Sequence, residues 1–478
     1  MNQDFQPLTN TTTQSQPEKK ERSFCRSTFN PQRHKTIISL LFIFLSSIIS
    51  LLYYLGTFHS SSNMQVTTIF LFRDAGESYG LSPLFHRLNN QHIDVQALII
   101  PHGTNPYWQQ PLPSNFILLS TILPNANSST WFDRDISLTP HQTQTILTTY
   151  PNVQTIITGM VSNIQTSFAA AAKAQHIRVI GFDDGLSLGT WSSSTTSLPP
   201  SWSSYMLVQA GILSELWVTS TAIENKVKTS QAYKTGETIN PSFQVYATGS
   251  PALLNWPSHL INQTKEINVL LDKMYLHSHQ QRRPWLHIYG GYNEEHDASY
   301  GKTIELVATA IENWKNASRN AATDATDGTP STSSVPSAAL SAPVISFSPH
   351  PGGFPSSYEF NIFKQHHVHL IVFDNVSAAV LADVANCTLS HYSTTGIQSL
   401  TVGTPHVFFS LPNIPMWDNI ASAAGLIETI SFSNDLQGAV ERTKFTFNVS
   451  RLSKAGIPTN AVERMMKRYY GDVNRSML

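Results

Sequence analysis

Residues 167–185 read SFAAAAKAQHIRVIGFDDG. An alanine-rich helix, SFAAAAKAQ (167–175), feeds a short apolar strand, RVIGF (178–182), which stops at Asp183-Asp184-Gly185. Helix-then-strand over so few residues is half of a βαβ unit, and the alternation continues in both directions. Upstream lie the strand candidates VTTIFLF (66–72), VQALII (95–100), NFILLS (115–120) and VQTIIT (153–158). Downstream come ELWVTS (215–220), a helical stretch AIENKVKTSQAY (222–233) and FQVYATG (243–249). This order predicts a parallel sheet covered by helices on both faces.

The loop after residue 72, DAGESYGLSPLFHRL, opens an amphipathic helix and looks like the phosphate-binding turn of a Rossmann half. It lacks a full G-x-G-x-x-G, so the nucleotide signal there is weak. After a polar helical bridge (265–283) a second unit begins. WLHIYGGY (285–292) reads as strand plus loop and TIELVATAIENW (303–314) as an amphipathic helix. Residues 316–343, rich in Ser, Thr, Ala and Pro, bury too little apolar surface to order themselves and read as a flexible surface insertion. VISFSPHPGG, VHLIVFD, ANCTLSH, a helix near GIQSLTV, and HVFFSL then resume the βα pattern. A last helix, AVERMMKRYY (461–470), carries an apolar stripe that needs a partner. The expected fold class is α/β: two Rossmann-like, doubly wound domains facing a cleft, GT-B-like, over residues 63–264 and 265–455, with a closing helix in 456–478.

The chain has 478 residues, 30 Lys+Arg against 31 Asp+Glu, and 13% charged residues. A net charge of -1 excludes the broad basic footprint of a nucleic-acid-binding protein. Residues 37–58, IISLLFIFLSSIISLLYYLGTF, are uncharged and long enough to span a bilayer as a single helix. Lys19, Lys20, Arg22, Arg26, Arg33 and Lys35 precede the run, and the first charge after it is Arg73. The positive-inside rule puts residues 1–36 in the cytoplasm and the rest across the membrane, a single-pass type II topology with the large part in a lumen, of Golgi type. A cleaved signal peptide is the rival reading; the long basic leader and the missing small-residue cleavage site argue for an uncleaved anchor. Cys25 and Cys387 flank this run and are not expected to pair. After the run, acceptor triplets for N-glycosylation follow at Asn127, Asn262, Asn316, Asn375, Asn386, Asn448 and Asn474. Asn386 is expected inside a core strand and therefore unmodified.

Three constellations carry candidate chemistry. Asp183 and Asp184 stand at the C-terminal edge of a parallel strand, where such sheets bind ligands. Crowded carboxylates raise one another's pKa, which suits a general base. The same Asp-Asp-Gly also reads as a strand-ending turn whose carboxylates bond backbone amides. His350, between Pro349 and Pro351 and before Gly352 and Gly353, is held stiffly after the strand VISF. It reads as a general acid or as an incidental histidine of a rigid loop. Ser393, Thr394 and Thr395, before Gly396, open a helix; they read as an anion site, as an ordinary N-cap, or as both.

An acidic pair plus Gly, then His-Pro, then a Ser/Thr pair resembles the motif set of bacterial GT-B sialyltransferases and polysialyltransferases, with their D/E-D/E-G, HP and SS/ST motifs. The resemblance runs from about Val66 to Gly396 through three short motifs. It implies Asp184 as general base with Asp183 supporting it, and His350 as general acid towards the phosphate of CMP. Ser393 and Thr394 would hold that phosphate, with Pro351, Gly352 and Thr395 beside it, and Asp374 would hold the nucleotide. The reaction so implied is an inverting transfer from CMP-sialic acid to a glycan hydroxyl, with no metal and no cofactor. The chain departs in having Thr where a second Ser is common, in its long insertion, and in its anchored topology. Animal sialyltransferases carry disulfide-linked motifs, which Cys387 alone cannot supply. A GT-B transferase or epimerase using another sugar nucleotide, and a non-catalytic lumenal binding protein of the same fold, are the alternatives.

Weaker signals read as structure. Asp133-Arg134-Asp135 mimics a metal-binding D-x-D but follows a polar segment. Gln365-His366-His367-Val368-His369 places two histidines on one strand face with no Cys or paired carboxylate near, a polar edge rather than a zinc site. Tyr107, Trp108 and Trp191 read as core or as a sugar-stacking platform.

Overall fold

The computed structural model describes residues 66–73, 75–100, 116–124, 136–185, 191, 203–253, 284–291, 300–324, 342–349, 357–373, 376, 378–391, 393, 395–409, 427–430, 435–442, 452–453 and 455–471. The basic leader and the apolar run 37–58 lie outside them. Among the described residues no helix is long and apolar enough to cross a membrane.

The first half contains β1 (Thr68–Phe72), α1 (Ala75–Asn90), β2 (Val95–Ile99), β3 (Phe116–Leu118), α2 (Leu119–Ile122), α3 (Pro140–Thr149), β4 (Thr155–Thr158), α4 (Asn163–Ala174) and β5 (Arg178–Asp183). It continues with α5 (Ser203–Gln209), β6 (Glu215–Val218), α6 (Thr221–Thr229), α7 (Gln231–Ile239), β7 (Gln244–Ala247) and a 3₁₀ turn, Pro251–Leu253. The strands form one parallel sheet in the order β3-β2-β1-β4-β5-β6-β7. β1, β2, β4 and β6 are buried at every position, which is why they read as continuous apolar runs.

The two faces of this sheet are filled differently. Ile69, Leu71, Leu98, Ile156, Val179, Leu216 and Val245 share a core with α3 to α6. Phe70, Phe72, Ala97, Ile99, Ile157, Ile180, Phe182 and Trp217 pack against Leu81, Leu84, Phe85 and Leu88 of α1. Hydroxyl caps set the helix starts: Thr139 and Gln142 close a capping box on α3, while Ser162, Ser220 and Ser230 cap α4, α6 and α7. Ser230 leaves helical geometry (ψ 157) to cap α7, so the expected single helix over 222–233 is two.

The second half contains β8 (Trp285–Tyr289), α8 (Tyr300–Asp324), β9 (Val344–Ser348), α9 (Ser357–Gln365), β10 (Leu370–Val372), α10 (Ala378–Val384) and β11 (Cys387–Ser390). α11 (Thr395–Thr401), β12 (His406–Phe409), β13 (Glu428–Ile430), α12 (Leu436–Arg442) and α13 (Ala461–Gly471) complete it. Its parallel sheet runs β10-β9-β8-β11-β12-β13. One face packs on α8, α9 and α12 through Ile304, Ile311, Phe347, Phe363 and Leu436. α13 crosses back: Met465, Met466 and Tyr469 enter the α1 face of the first sheet, giving the apolar stripe of 461–470 its partner.

Four expectations are corrected. α8 runs through Asp324, well into the segment read as a flexible insertion. The QHHVH stretch is no strand: α9 ends at Gln365, His367 takes a left-handed φ of 54, and β10 starts only at Leu370. His366 instead bridges two carboxylates of α8, with Nδ1 2.8 Å from Glu312 Oε2 and Nε2 3.1 Å from Glu305 Oε1. Asn386 is exposed at the bend before β11 rather than inside it. Residues 133–135, 107 and 108 lie outside the described residues; Trp191 is buried.

Candidate active site

In both sheets the strand order reverses at one point, between β1 and β4 and between β8 and β11. Ligands of open α/β sheets bind outside the strand ends at such points. At the first reversal the chain leaving β1 supplies Arg73 and Glu77, which are 2% and 1% exposed. Glu77 accepts from the Arg73 backbone N–H at 2.7 Å and from Gln165 Nε2 on both oxygens, at 3.0 and 2.9 Å. Gln165 is fixed in turn, its Oε1 accepting from Val161 N and Ser162 Oγ. Glu77 lies in the first turn of α1, where the helix dipole favours a carboxylate. Gly159 is obligatory here, because a Cβ on it would run into the Glu77 carboxylate. Sequence reasoning missed this cluster; burial of three such polar groups is its signature.

One strand further on, Asp183 ends β5. Both readings of Asp-Asp-Gly are realised in part. Asp183 Oδ1 accepts from the Gly185 N–H at 2.9 Å, and Thr219 Oγ1 donates to Gly185 O at 2.7 Å, so the triplet is a pinned turn. Yet burial pushes the Asp183 carboxyl above the usual carboxylate range. The Gly185 amide and the Trp191 indole N–H oppose this, the indole without closing a full hydrogen bond. Asp184 is half-buried beside it. A carboxyl that holds its proton more tightly is suited to proton transfer near neutrality.

In the second half, Ser393 and Thr395 engage each other. Ser393 Oγ accepts from Thr395 N at 3.3 Å and from Thr395 Oγ1 at 2.7 Å, a hydroxyl turn just ahead of α11. Gly396 is required by packing, since a Cβ there would stand 2.6 Å from His406 Cδ2. His350, Pro351, Gly352, Asp374 and Thr394 lie outside the described residues. The structure therefore places Asp183 and Asp184 together at the first strand-end crevice and Ser393 with Thr395 after β11.

The same end of β11 adds His391, buried, with Nδ1 2.8 Å from Phe409 O. The carbonyl can only accept, so Nδ1 carries a proton. Behind it, on the face towards α10 and α11, runs a polar seam. His287 Nδ1 lies 2.7 Å from Ser346 Oγ, and His406 is held between Thr388 Oγ1 (2.6 Å) and Ser390 Oγ (2.9 Å). Burial lowers both histidines to about 3, so they are neutral packing elements. The halves touch where Gln398 Nε2 of α11 donates to Ala252 O at 3.3 Å.

The sequence matches no protein-family model and no curated protein. Its fold does have counterparts. The chain is similar to the UDP-GlcNAc 2-epimerase of Methanocaldococcus jannaschii in complex with UDP-GlcNAc and UDP, at TM-score 0.53 and 14% identity, over 85% of this chain and 99% of that one. It is similar to S. aureus MnaA in its co-structure with UDP, at TM-score 0.51 and 11% identity, over 85% and 97%. It is similar to the UDP-N-acetylglucosamine 2-epimerase of Rickettsia bellii, at TM-score 0.51 and 12% identity, over 86% and 98%. At these identities the likeness establishes the architecture: two Rossmann-like α/β halves of GT-B type.

Proposed function

We propose that the protein is a nucleotide-sugar enzyme of GT-B architecture acting on a UDP-sugar, as an epimerase or a transferase. The observation that carries this reading is the Asp183 carboxyl, held protonation-prone at a strand end, one strand from the buried Arg73, Glu77 and Gln165. Inverting a sugar carbon and activating an acceptor hydroxyl both need such a group to move a proton. The UDP and UDP-GlcNAc held by the structural counterparts support uridine as the nucleoside.

Transfer from CMP-sialic acid is the second reading, favoured by the acidic pair standing at the end of β5, where the motif order expects it. In that reading Asp184 takes the proton of the acceptor, and His350, Ser393, Thr394 and Asp374 serve the nucleotide. For either chemistry we place residues 37–58 in the membrane as a type II anchor, with the catalytic part in the Golgi lumen. The apolar run and the basic leader before it support this.

Thermal melting with UDP, CMP and GDP separates the donors: UDP is expected to protect most. Protection by CMP alone selects the sialyl reading, and protection by none of the three sinks the nucleotide reading. With UDP-GlcNAc in heavy water, an epimerase places deuterium on the inverted carbon, whereas a transferase releases UDP only when an acceptor is present.

A further inference from the structure

At the outer edge of the first sheet, beyond β6 from Asp183, α6, β7 and α13 enclose a recess of about 480 Å³. That is within the roughly 300–1,000 Å³ of small-molecule sites. Its α13 wall carries Arg464, Lys467 and Arg468, whose i, i+3, i+4 spacing places them on one helix face. Two of the three are positioned by the fold: Arg464 Nη1 donates to Ala247 O, and Arg468 Cζ lies 3.4 Å from the Tyr246 ring centroid. Among the described residues none of the three forms an ion pair. Glu224, on the opposite wall, is already occupied by the Ala247 N–H at 2.9 Å and by Lys228. Glu463 is the other lining carboxylate, so three cations face two carboxylates and the recess is cationic by one charge.

The backbone at its floor narrows the choice of occupant. Ala247 turns its N–H and C=O outward from β7, and Glu224 and Arg464 satisfy both. Ala247 is thereby withdrawn from pairing with an added strand. A guanidinium beside an ammonium, with no carboxylate partner among the described residues, suits a phosphate instead.

We propose that this recess is a second binding site, separate from the strand-end crevice, for a phosphate-bearing ligand that Lys467 and Arg468 grip and that fastens α13 to β7. The phosphate belongs to a soluble phosphorylated metabolite or to an anionic lipid headgroup; the chemistry is shared. The inference is independent of which nucleotide sugar the crevice takes.

Hydrogen exchange on the full chain tests it, with inorganic phosphate, inorganic pyrophosphate, and vesicles of equimolar phosphatidylcholine and phosphatidylserine as probes. At least one probe is expected to slow exchange in residues 244–248 and 461–471. Protection by the free anions assigns a soluble ligand; protection by the vesicles alone assigns a headgroup. Protection by none of the three overturns the proposal. Lys467→Gln with Arg468→Gln is expected to weaken the protecting probe about tenfold, the loss of a charge-assisted contact, while Lys364→Gln on α9 leaves it unchanged. Where Arg468→Gln also disturbs Tyr246, Lys467→Gln alone decides, because its side chain bonds to nothing among the described residues. Unchanged affinity in that variant overturns the assignment.

Discussion

Tyr469 on the closing helix and Thr68 on the first strand meet hydroxyl to hydroxyl at 2.7 Å, 401 residues apart in the chain. Around them Arg178 donates to the carbonyls of Arg468 and Tyr469, capping the end of α13, and pairs with Glu215. α13 is thus a structural member of the first half. Met465→Ala, at a fully buried position, is expected to cost about 2–5 kcal/mol. Urea unfolding measures it; a loss confined to the second half would refute the placement.

Gly159 and Glu77 form a coupled pair. Gly159→Ala drives a methyl into the Glu77 carboxylate and is expected to cost about 1–3 kcal/mol, the range of overpacking. In a Glu77→Ala background that space is open, so the same change is expected to cost at least roughly 1 kcal/mol less. A double-mutant cycle on melting data reads the difference. Additive effects would show that the two positions do not touch.

Asp183→Asn separates catalysis from stability. The amide still accepts from Gly185 but exchanges no proton, so turnover is expected to fall about 10²–10⁴-fold with nucleotide binding retained. The native state binds the Asp183 proton more tightly than the unfolded chain does. Stability therefore falls as pH rises from about 4 through the folded value and stays reduced above it. The variant is expected to melt higher than the parent at neutral pH, with the gain vanishing in acid. A variant that melts lower at neutral pH would mean that burial does not dominate at this carboxyl.

His366 gives the opposite pH dependence. Burial disfavours its cation, but hydrogen bonds and charge from Glu312 and Glu305 outweigh this and raise its pKa. The clamp between α8 and α9 is therefore complete below about pH 6.5 and lost as pH rises through the folded value. His366→Gln is expected to flatten the melting curve against pH in that window. An unchanged slope would assign it to other groups.

Ser393→Ala removes the acceptor for both the N–H and the hydroxyl of Thr395. The expected result is a loss of about 1 kcal/mol for the lost hydrogen bonds of the turn, with nucleotide affinity falling as well if the hydroxyl serves a phosphate. Calorimetric binding of UDP to the parent and the variant, beside their melting points, tells a structural turn from ligand contact.

How much of the fold and site was legible depended on how local the cause was. TIFLF, VQALI and TIIT announced themselves because both faces of a parallel sheet are buried, and the acid pair stood visibly at the end of RVIGF. β13 did not: Glu428-Thr429-Ile430 is short, and only Ile430 is buried. The stretch after Trp314 lacks bulky apolar residues and reads as disorder, yet its alanines carry helix propensity enough to continue α8. Glu77 and Gln165 are 88 residues apart, and only the pairing of β1 with β4 brings their helices together. His391 is fixed by a carbonyl on the neighbouring strand, a partner that residue type cannot reveal.

The crossing of α13 also sets an order of events during synthesis. Phe70, Phe72 and Trp217 keep one apolar face partly uncovered until Met465 and Tyr469 leave the ribosome. At about 5–20 residues per second, the 401 residues between Thr68 and Tyr469 take roughly 20–80 s to make. For that interval α1 alone covers this face of the nascent first half, and the part under α13 stays open. A chain that stalls before residue 461 leaves the places of Met465, Met466 and Tyr469 on that face unfilled, so the first sheet is completed only after the second has been made.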